Sequence, residues 1–356
     1  MFISFMLYLK YIRYSLPAIF SMAFLACIAW GRHWFYLFLL AGANIICNRI
    51  WTEFTESEIH QELRAFHSSR LRFLKVFNGL VIIFTIFFSL YLWDQEVHSF
   101  WSSFGFAWSL GIVTACFAVT LAHELAHEQH WLACACSNIL LLAAGIPHFS
   151  YDHIYGHHRL IGLEEDFTTA KRGQHFYAFF AICFFKRFMA GFNNSYQLPT
   201  AIFHSMRRYN LLMFGGLLSI YILLYFVTKH PIQIMQIFFI QGFIAYLFYE
   251  LINYLQHYGL RRRKLDSAEY EPIHLAHSWN SYFKFTNYIL YFLPLHSAHH
   301  AHRNIGSKDR LSDGPRMPYY YFIMVIMALI PGWWFYKMDP LVDKFQSAGQ
   351  SLNNLF

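Results

Sequence analysis

Residues 103–128 read SFGFAWSLGIVTACFAVTLAHELAHE, an apolar run over 103–122 that ends directly at a histidine motif. A bilayer core about 30 Å thick requires roughly 20 apolar residues in a spanning helix. His123 and His127 follow the run at positions i and i+4, so a continuing helix would place both imidazoles on one face. The stretch therefore predicts a membrane-spanning helix that delivers two candidate metal ligands to the membrane boundary.

The composition of the whole chain also indicates a membrane protein. Hydrophobic residues make up 57% of the 356 residues and charged residues only 13%, whereas a soluble domain carries about 25% charged residues. This balance excludes a disordered, fibrous or nucleic-acid-coating protein, and we expect no nucleic-acid partner. The chain has 21 His against 20 Asp plus Glu. We therefore expect an all-α, polytopic membrane protein with a surplus of imidazole.

Six segments are long and apolar enough to cross a lipid bilayer, at about 14–30, 34–50, 73–93, 103–122, 211–228 and 232–254. With six spans, the basic residues near the span ends fall on one side of the membrane, which the positive-inside rule makes cytoplasmic. We expect one integral-membrane domain over residues 1–356. Its histidine-rich regions, 123–210 and 255–316, would then form a cytoplasmic helical cap.

Three further apolar stretches are not assigned as spans. These are Trp131–His148, Phe176–Phe188 and Tyr319–Tyr336, which we interpret as interfacial or half-inserted helices. An extra crossing at the first of them would place the histidine motifs on opposite sides of the membrane.

Histidines gather in four short segments beside the ends of the apolar spans. In order, the segments contribute His123 and His127 in HELAHE; His153, His157 and His158 in DHIYGHH; His257 in NYLQHYG; and His296, His299 and His300 in HSAHHAH. Residues three or four apart share a helical face, so we expect each cluster to point two or three imidazoles at one spot. A lone His at such a boundary is usually an interfacial residue, but four clusters at ligand spacing predict a metal site.

Nine converging imidazoles are more than one tetrahedral zinc ion can use, and they suit two five- or six-coordinate ions. Imidazole binds iron, copper, nickel and zinc, so ligand type alone leaves the element open. For the histidines nearest these clusters we expect hydrogen-bonding or packing roles, because metal-bound His needs outer partners. They are His148, His175, His274, His277 and His302.

These motifs resemble those of the membrane-bound alkane 1-monooxygenase (alkane hydroxylase) family, within the fatty-acid-desaturase-like, histidine-rich di-iron membrane enzymes. HELAHE and DHIYGHH resemble the first two histidine boxes of the family. NYLQHYGL at 253–260 resembles its distinguishing third box, and HSWNS at 277–281 with HSAHHAH at 296–302 resembles the run into the last box. Desaturases share clustered histidine boxes but lack the NYxxHYG and HSWNS patterns.

The resemblance implies that the nine clustered histidines bind two iron ions and that Asp166 and Asn253 support them from the second layer. It implies O2-dependent hydroxylation of an unactivated terminal methyl group of an alkane or similar apolar, membrane-soluble chain. The implied location is the bacterial inner membrane, with the active site on the cytoplasmic side. A fatty-acid or lipid desaturase or hydroxylase is the alternative within the same chemistry.

The chain departs from the family pattern at five positions. Glu128 stands where a basic residue is usual, Asp152 and Gln256 each replace a Glu, Leu295 replaces an Arg, and Ala298 replaces an Asp. Several of these are polar positions beside ligands. We therefore expect the hydrogen bonding around the metal ligands to differ from that of other members.

Electrons for such a reaction have no carrier on this chain. All six Cys lie in apolar runs and none forms a Cys-x-x-Cys pair, so neither an iron–sulfur nor a rubredoxin-like module is predicted. The resemblance implies a separate rubredoxin- or ferredoxin-type carrier with an NAD(P)H-dependent reductase. The basic run Arg261, Arg262, Arg263 and Lys264 either docks such an acidic carrier or only sets the topology.

Two rival functions use the same residues differently. His123-Glu124-Leu125-Ala126-His127 matches the H-E-x-x-H motif of zinc proteases, but that site needs only one further ligand and here seven more histidines are available. A metal transporter would carry its ligands within several spans, whereas these ligands cluster beyond the span ends. Metal analysis separates the protease, with one zinc, from the oxygenase, with two irons.

Overall fold

A computed structural model describes residues 2–265, 269–301 and 310–353. Within these ranges the chain is helical and contains three isolated β-bridges but no named strand. The α-helices are α1 Phe2–Ala29, α2 Phe35–Trp51, α3 Glu56–Phe66, α4 Ser69–Trp93, α5 Phe100–Val113, α6 Thr120–Ala126, α7 Trp131–Ala143, α8 Phe149–Tyr151, α9 His158–Leu160, α10 Phe176–Asn193, α11 Thr200–Val227, α12 Pro231–His257, α13 Lys284–Ile289, α14 His296–Ala301, α15 Tyr321–Ala328 and α16 Pro331–Asn353.

Four short segments of other helical types complete the described secondary structure. Two π-helical segments, Thr114–Val119 and Asp152–His157, join α5 to α6 and α8 to α9. Two 3₁₀ turns, Leu275–His277 and Leu311–Asp313, lie on either side of α13 and α14. Because π-bulges often accompany functional sites, the two π segments beside histidine motifs mark the region of interest.

Among the described residues, five helices are long and apolar enough to cross a membrane: Tyr11–Ala29, Ser69–Trp93, Phe100–Ala126, Thr200–Val227 and Pro231–His257. The second predicted span forms α2, whose 17 residues are at the lower limit for a crossing. Helices α15 and α16 meet at a bend of 118° and would make a sixth candidate span if taken together. The predicted all-α membrane fold with about six spans is therefore confirmed.

The span that carries the first histidine motif lies at the centre of the bundle. Its most apolar window is 72% buried within the protein, whereas that of α11 is 17% buried, so α11 is peripheral. Helix α5 approaches α12 closely at Gly111, where an added Cβ would lie 2.7 Å from the Cβ of Ile244. This contact places α5, its π segment and α6 directly beside the helix that ends at His257.

The three unassigned apolar stretches form helices that pack around this centre. Helix α7 packs against α4 and α6, α10 packs against α12, and α15 packs against both α12 and α16. Asn48 of α2 donates a hydrogen bond of 2.8 Å to the Thr286 hydroxyl, which ties α2 to α13. These helices enclose the end of the bundle where the histidine motifs lie, and their depth in a bilayer stays a prediction.

Candidate metal centre

All nine clustered histidines come together, and they form two groups rather than one per motif. The five-histidine group consists of His123, His127, His153, His158 and His299. The four-histidine group consists of His157, His257, His296 and His300. In each group the candidate ligand nitrogens all lie within 4.8 Å of one another, so each group could hold a metal ion.

The spacing of the ring nitrogens fits coordination by imidazole. In the five-histidine group, His158 Nε2 lies 2.9 Å from His153 Nε2 and 3.0 Å from His299 Nε2. In the four-histidine group, His296 Nε2 lies 3.0 Å from His257 Nε2 and 2.8 Å from His300 Nε2. Metal–nitrogen bonds of about 2.1 Å place ligands at right angles about 3.0 Å apart, and tetrahedral ligands about 3.4 Å apart. The nitrogens of each group therefore lie close enough together to share one ion.

The expectation that each motif points at one spot is wrong for two of the four motifs. The second motif sends His153 and His158 to the five-histidine group and His157 to the four-histidine group. The last motif likewise sends His299 to one group, and His296 with His300 to the other. Each of these two motifs therefore contributes histidines to both groups. The two groups are close together because neighbouring residues of one motif belong to different groups.

The π-helical turn at Asp152–His157 explains the division of the second motif. In an α-helix, residues five apart are rotated by about 140°, so His153 and His158 would face different directions. Bonding from i to i+5 widens the turn and brings residues five apart close to one face. The wider turn therefore brings His158 closer to the face that carries His153, and both belong to the five-histidine group.

Burial favours the neutral form, which is the form that binds metal, in several of the clustered histidines. Burial lowers the pKa of His153, His158 and His299 well below its usual value, and neighbouring imidazoles lower it further. Burial has the same effect on the pKa of His296 and His300. A free lone pair on a neutral ring nitrogen is thus available in each group.

Asp166, for which the family resemblance implies a second-layer role, contacts His157 of the four-histidine group. Its Oδ2 lies 3.0 Å from His157 Nδ1, and its carboxylate also accepts hydrogen bonds from the hydroxyls of Thr168 and Thr169. Burial raises the pKa of Asp166, but His157 and the two hydroxyls outweigh that effect and hold the pKa below its usual range. The buried His157 Nε2 has no hydrogen-bond partner within the described chain and lies in the four-histidine group. Asp166 thereby orients His157 as an outer carboxylate orients a metal-bound His.

Thr168 was not singled out from the sequence, although its hydroxyl lies 2.6 Å from His157 Nδ1. Its backbone N–H also donates to Asp166 Oδ1 at 2.9 Å. The sequence signal is the Thr two residues after Asp166. An Asp side chain commonly accepts a hydrogen bond from the backbone N–H two residues later, which forms an Asx turn.

Asn253 lies in the second layer without touching a histidine ring in any described hydrogen bond. Its Nδ2 donates to Glu250 Oε2 at 3.2 Å, one turn earlier on α12. Through Glu250 it joins a buried network that reaches Asp152. The same side chain lines the cavity beside the centre. Its role is therefore indirect.

Glu128, one of the departures from the family pattern, has local partners of opposite charge. Its carboxylate bonds Lys75 Nζ at 2.9 Å and Arg72 Nε at 2.8 Å, and Lys75 also bonds Glu124 at 2.8 Å. Burial raises the pKa of Glu128, but Lys75 and Arg72 outweigh it and lower that pKa. An acidic residue at this position therefore fits the basic residues that α4 presents, and the cluster anchors the first motif to α4.

A third group of Glu and His lies behind His257. The backbone of His277 forms a hydrogen bond with the His257 ring. Nε2 of His277 lies 3.1 Å from Oε1 of Glu271. The Nδ1 atoms of His274 and His277 accept backbone N–H groups, so both Nε2 atoms carry protons and cannot bind a metal. The guanidinium of Arg263 also bonds the Glu271 carboxylate. This group is a hydrogen-bonded support for His257, as predicted for His277, while His302 lies outside the described residues.

An apolar cavity of about 420 Å³ ends at the metal centre. His123, His153 and His296 line that end, and the remaining wall comes from α2, α5 with its π segment, α12, α13 and α15. Gln256, another departure, lines the cavity and donates to the Tyr321 hydroxyl at 2.9 Å. Both histidine groups therefore contribute to one pocket within the bundle.

Comparison with known proteins agrees with this arrangement. Residues 99–322 match the fatty acid desaturase family. The chain is 36% identical to alkane 1-monooxygenase 1 of Pseudomonas aeruginosa, over 68% of this chain and 64% of that protein. It is 30% identical to alkane 1-monooxygenase 2 of Alcanivorax borkumensis, over 78% and 73% of the two chains. It is also 30% identical to the alkane 1-monooxygenase of Acinetobacter baylyi, over 80% and 70%. The match thus spans slightly less than two thirds of the Pseudomonas protein, and the chain belongs to the alkane 1-monooxygenase family, within the fatty acid desaturase family.

Proposed function

We propose that this protein is a monooxygenase that hydroxylates a terminal methyl group of an alkane or a similar apolar chain. The observation that carries the proposal is the juxtaposition of the two histidine groups with the end of the apolar cavity. A further support is membership of a family whose relatives are named alkane 1-monooxygenases.

The residues present fit two iron ions, one in each histidine group. His123, His127, His153, His158 and His299 would hold one ion, and His157, His257, His296 and His300 would hold the other. Five imidazoles in one group exceed the four ligands of a tetrahedral zinc site, which favours an ion of higher coordination number such as iron. When bound, the two irons would supply, from O2 and two electrons, the oxidising power that an unactivated C–H bond requires.

The protein itself would orient the substrate and exclude water. The cavity wall is almost wholly hydrocarbon, with side chains such as Leu40, Ile112 and Val325, so it takes up an apolar chain and not a charged one. The substrate chain would enter from the bilayer, and only the end of the substrate would reach His123 and His296. This arrangement favours attack at the terminal carbon.

Two features of the structure argue against a zinc protease. A protease would need Glu124 as a free general base, but Glu124 accepts a 2.8 Å hydrogen bond from Lys75, which is 2% exposed. His123 and His127 belong to a group of five imidazoles, more than a zinc site with an open position uses.

We also propose that electrons arrive from a separate rubredoxin- or ferredoxin-type carrier and its NAD(P)H-dependent reductase, on the cytoplasmic side of a bacterial inner membrane. The basic run after α12 contributes less to docking than its sequence suggests. Arg261 lies 3.5 Å from Glu164, Arg262 donates to a backbone carbonyl, and Arg263 pairs with Glu271. Three of its four cations are thus held within the protein, which supports a structural role for this run.

The test is product formation by the purified protein in lipid nanodiscs. The protein would be loaded with Fe(II) and supplied with isotopically labelled O2, NADH, a carrier and its reductase, and a mixture of alkanes and acyl lipids. We expect a primary alcohol that contains one labelled oxygen atom and about two irons per chain. An alkene without labelled oxygen would identify a desaturase, and one zinc with no oxygen-dependent product would overturn the proposal.

A further inference from the structure

A buried ionic cluster joins α10 to α12 and to the π turn of the second histidine motif. Arg187 of α10 is 1% exposed and bonds two carboxylates, Asp152 and Glu250, which are 3% and 0% exposed. The Glu250 contact is 2.6 Å. Burying three charges costs several kcal/mol per ion before pairing, and an apolar trio would pack as stably. The cluster is therefore not explained by stability alone.

The two carboxylates belong to different parts of the centre. Asp152 begins the π turn that carries the second motif and directly precedes His153 of the five-histidine group. Glu250 precedes His257 of the four-histidine group by about two helical turns on α12, so the two side chains share a helical face. One guanidinium thus connects both elements.

Each carboxylate is also fixed by a second partner, so that it cannot swing away from Arg187. The Tyr196 hydroxyl donates to Asp152, and Asn253 Nδ2 donates to Glu250 at 3.2 Å. Tyr196 further packs on Gly156, where an added Cβ would lie 2.5 Å from its ring. The beginning and the middle of the π turn are therefore held by the same tyrosine.

A second contact runs from Arg187 to the centre through aromatic rings. Its guanidinium lies 4.9 Å from the centroid of the Tyr249 ring, which contacts Phe149 at 5.1 Å. Phe149 stacks on His153, with centroids 5.0 Å apart and planes at 14°. Hydrogen bonds and ring contacts thus lead from one side chain to the same imidazole.

We propose that Arg187 is a positioning residue that holds the two histidine groups in register through Asp152 and Glu250. The proposal rests on the function proposed above, because it assumes that both groups bind iron. Charge-assisted forked hydrogen bonds fix geometry more narrowly than apolar packing does. Loss of outer partners of metal-bound His typically costs 10–100-fold in metal affinity.

The experiment measures Fe(II) binding, not turnover, in the full chain in nanodiscs. Titration with Fe(II) alone gives affinity and stoichiometry, and Mössbauer spectra of the loaded protein report the geometry of the irons. We expect R187M to weaken Fe(II) binding by about 10-fold or more, and to broaden the signals of both irons. We expect R187K to recover part of this loss, because one ammonium keeps the charge but cannot fork to both carboxylates.

E250Q is the second variant, because it preserves size and keeps an acceptor for Arg187. We expect it to weaken binding mainly at the iron of the four-histidine group. R172K is the matched control, since Arg172 forms an exposed pair with Asp343, with side chains 48% and 56% exposed. We expect R172K to match the wild-type protein.

The outcomes separate the two proposals. If the wild-type protein fails to bind two irons, the proposed function fails. If it binds two, and R187K and E250Q keep its affinity and its spectrum, the positioning role is overturned, even where thermal stability falls. If the Arg187 variants do not fold, E250Q alone decides between these results.

Discussion

The two histidine groups differ in how deeply they are buried and in what holds them. All four members of the four-histidine group are buried, whereas the five-histidine group contains one exposed member, His127, and two half-buried members, His158 and His299. Outer hydrogen bonds to the four-histidine group come from Asp166, Thr168 and the His277 backbone. The comparison indicates that the four-histidine group lies deeper in the protein and that the five-histidine group lies closer to solvent.

The largest expected effect comes from removing a ligand of each group. H157A removes one of four buried candidate ligands, so we expect the loss of about one iron per chain. We expect activity to fall by at least about 100-fold, because losing a ligand should cost more than the 10–100-fold that losing a second-layer hydrogen-bond partner costs. H127A leaves four ligands in its group, and we expect it to keep both irons with weaker binding at one. Metal analysis of both purified variants checks the comparison. Equal iron contents in H157A and H127A would contradict it.

The anchor of the first motif provides the next test, on the five-histidine side. E128K would place a third cation beside Lys75 and Arg72, and we expect it to destabilise the fold by about 3 kcal/mol, as breaking a buried pair does. The double variant R72E/E128K restores opposite charges between these two positions and leaves Lys75 bonded to Glu124, so it should recover part of that loss. Thermal or denaturant unfolding in detergent measures both. No recovery in the double variant would mean that the charges at these two positions do not interact.

A smaller effect is expected from the outer partner of the four-histidine group. D166N keeps the size of the side chain but removes the charge that faces His157, so we expect 10–100-fold weaker iron binding at the four-histidine group only. T168V should have a lesser effect in the same direction, since it removes the hydroxyl that contacts Asp166 and His157 but keeps the carboxylate charge. Fe(II) titration with site-resolved Mössbauer spectra distinguishes the groups. A change confined to the five-histidine group would refute the assignment of Asp166.

The smallest effect concerns the order of metal release. Because His127 is exposed, a chelator should remove iron from the five-histidine group several-fold faster than from the buried group. Stopped-flow chelation would show two phases of equal amplitude, and D166N should accelerate only the slower one. A single phase for the wild-type protein would indicate that the two sites do not differ in access.

Several features of the site could be predicted from the sequence because they depend on local spacing. The nine clustered histidines and the apolar runs beside them follow from spacing alone, whereas Asp166 is implied only by the family resemblance. Glu250 also had a signal that was not used, since it is the only acidic residue within the six predicted spans. Ionisable groups at membrane depth are usually functional. Arg187, a cation within the apolar stretch of α10, had a similar signal.

The sequence by itself determined the fold class and the candidate ligands, because hydrophobic runs and short-range histidine spacing need no knowledge of distant contacts. Only the tertiary structure decided how the ligands divide between two groups. A π turn changes the direction of every side chain after it, and nothing in the local spacing of DHIYGHH distinguishes that turn from an α-helical one. Only the tertiary structure also decided which cations pair with the buried carboxylates. Arg187 meets Asp152 and Glu250, and Lys75 meets Glu124 and Glu128, across separations along the chain that only packing closes.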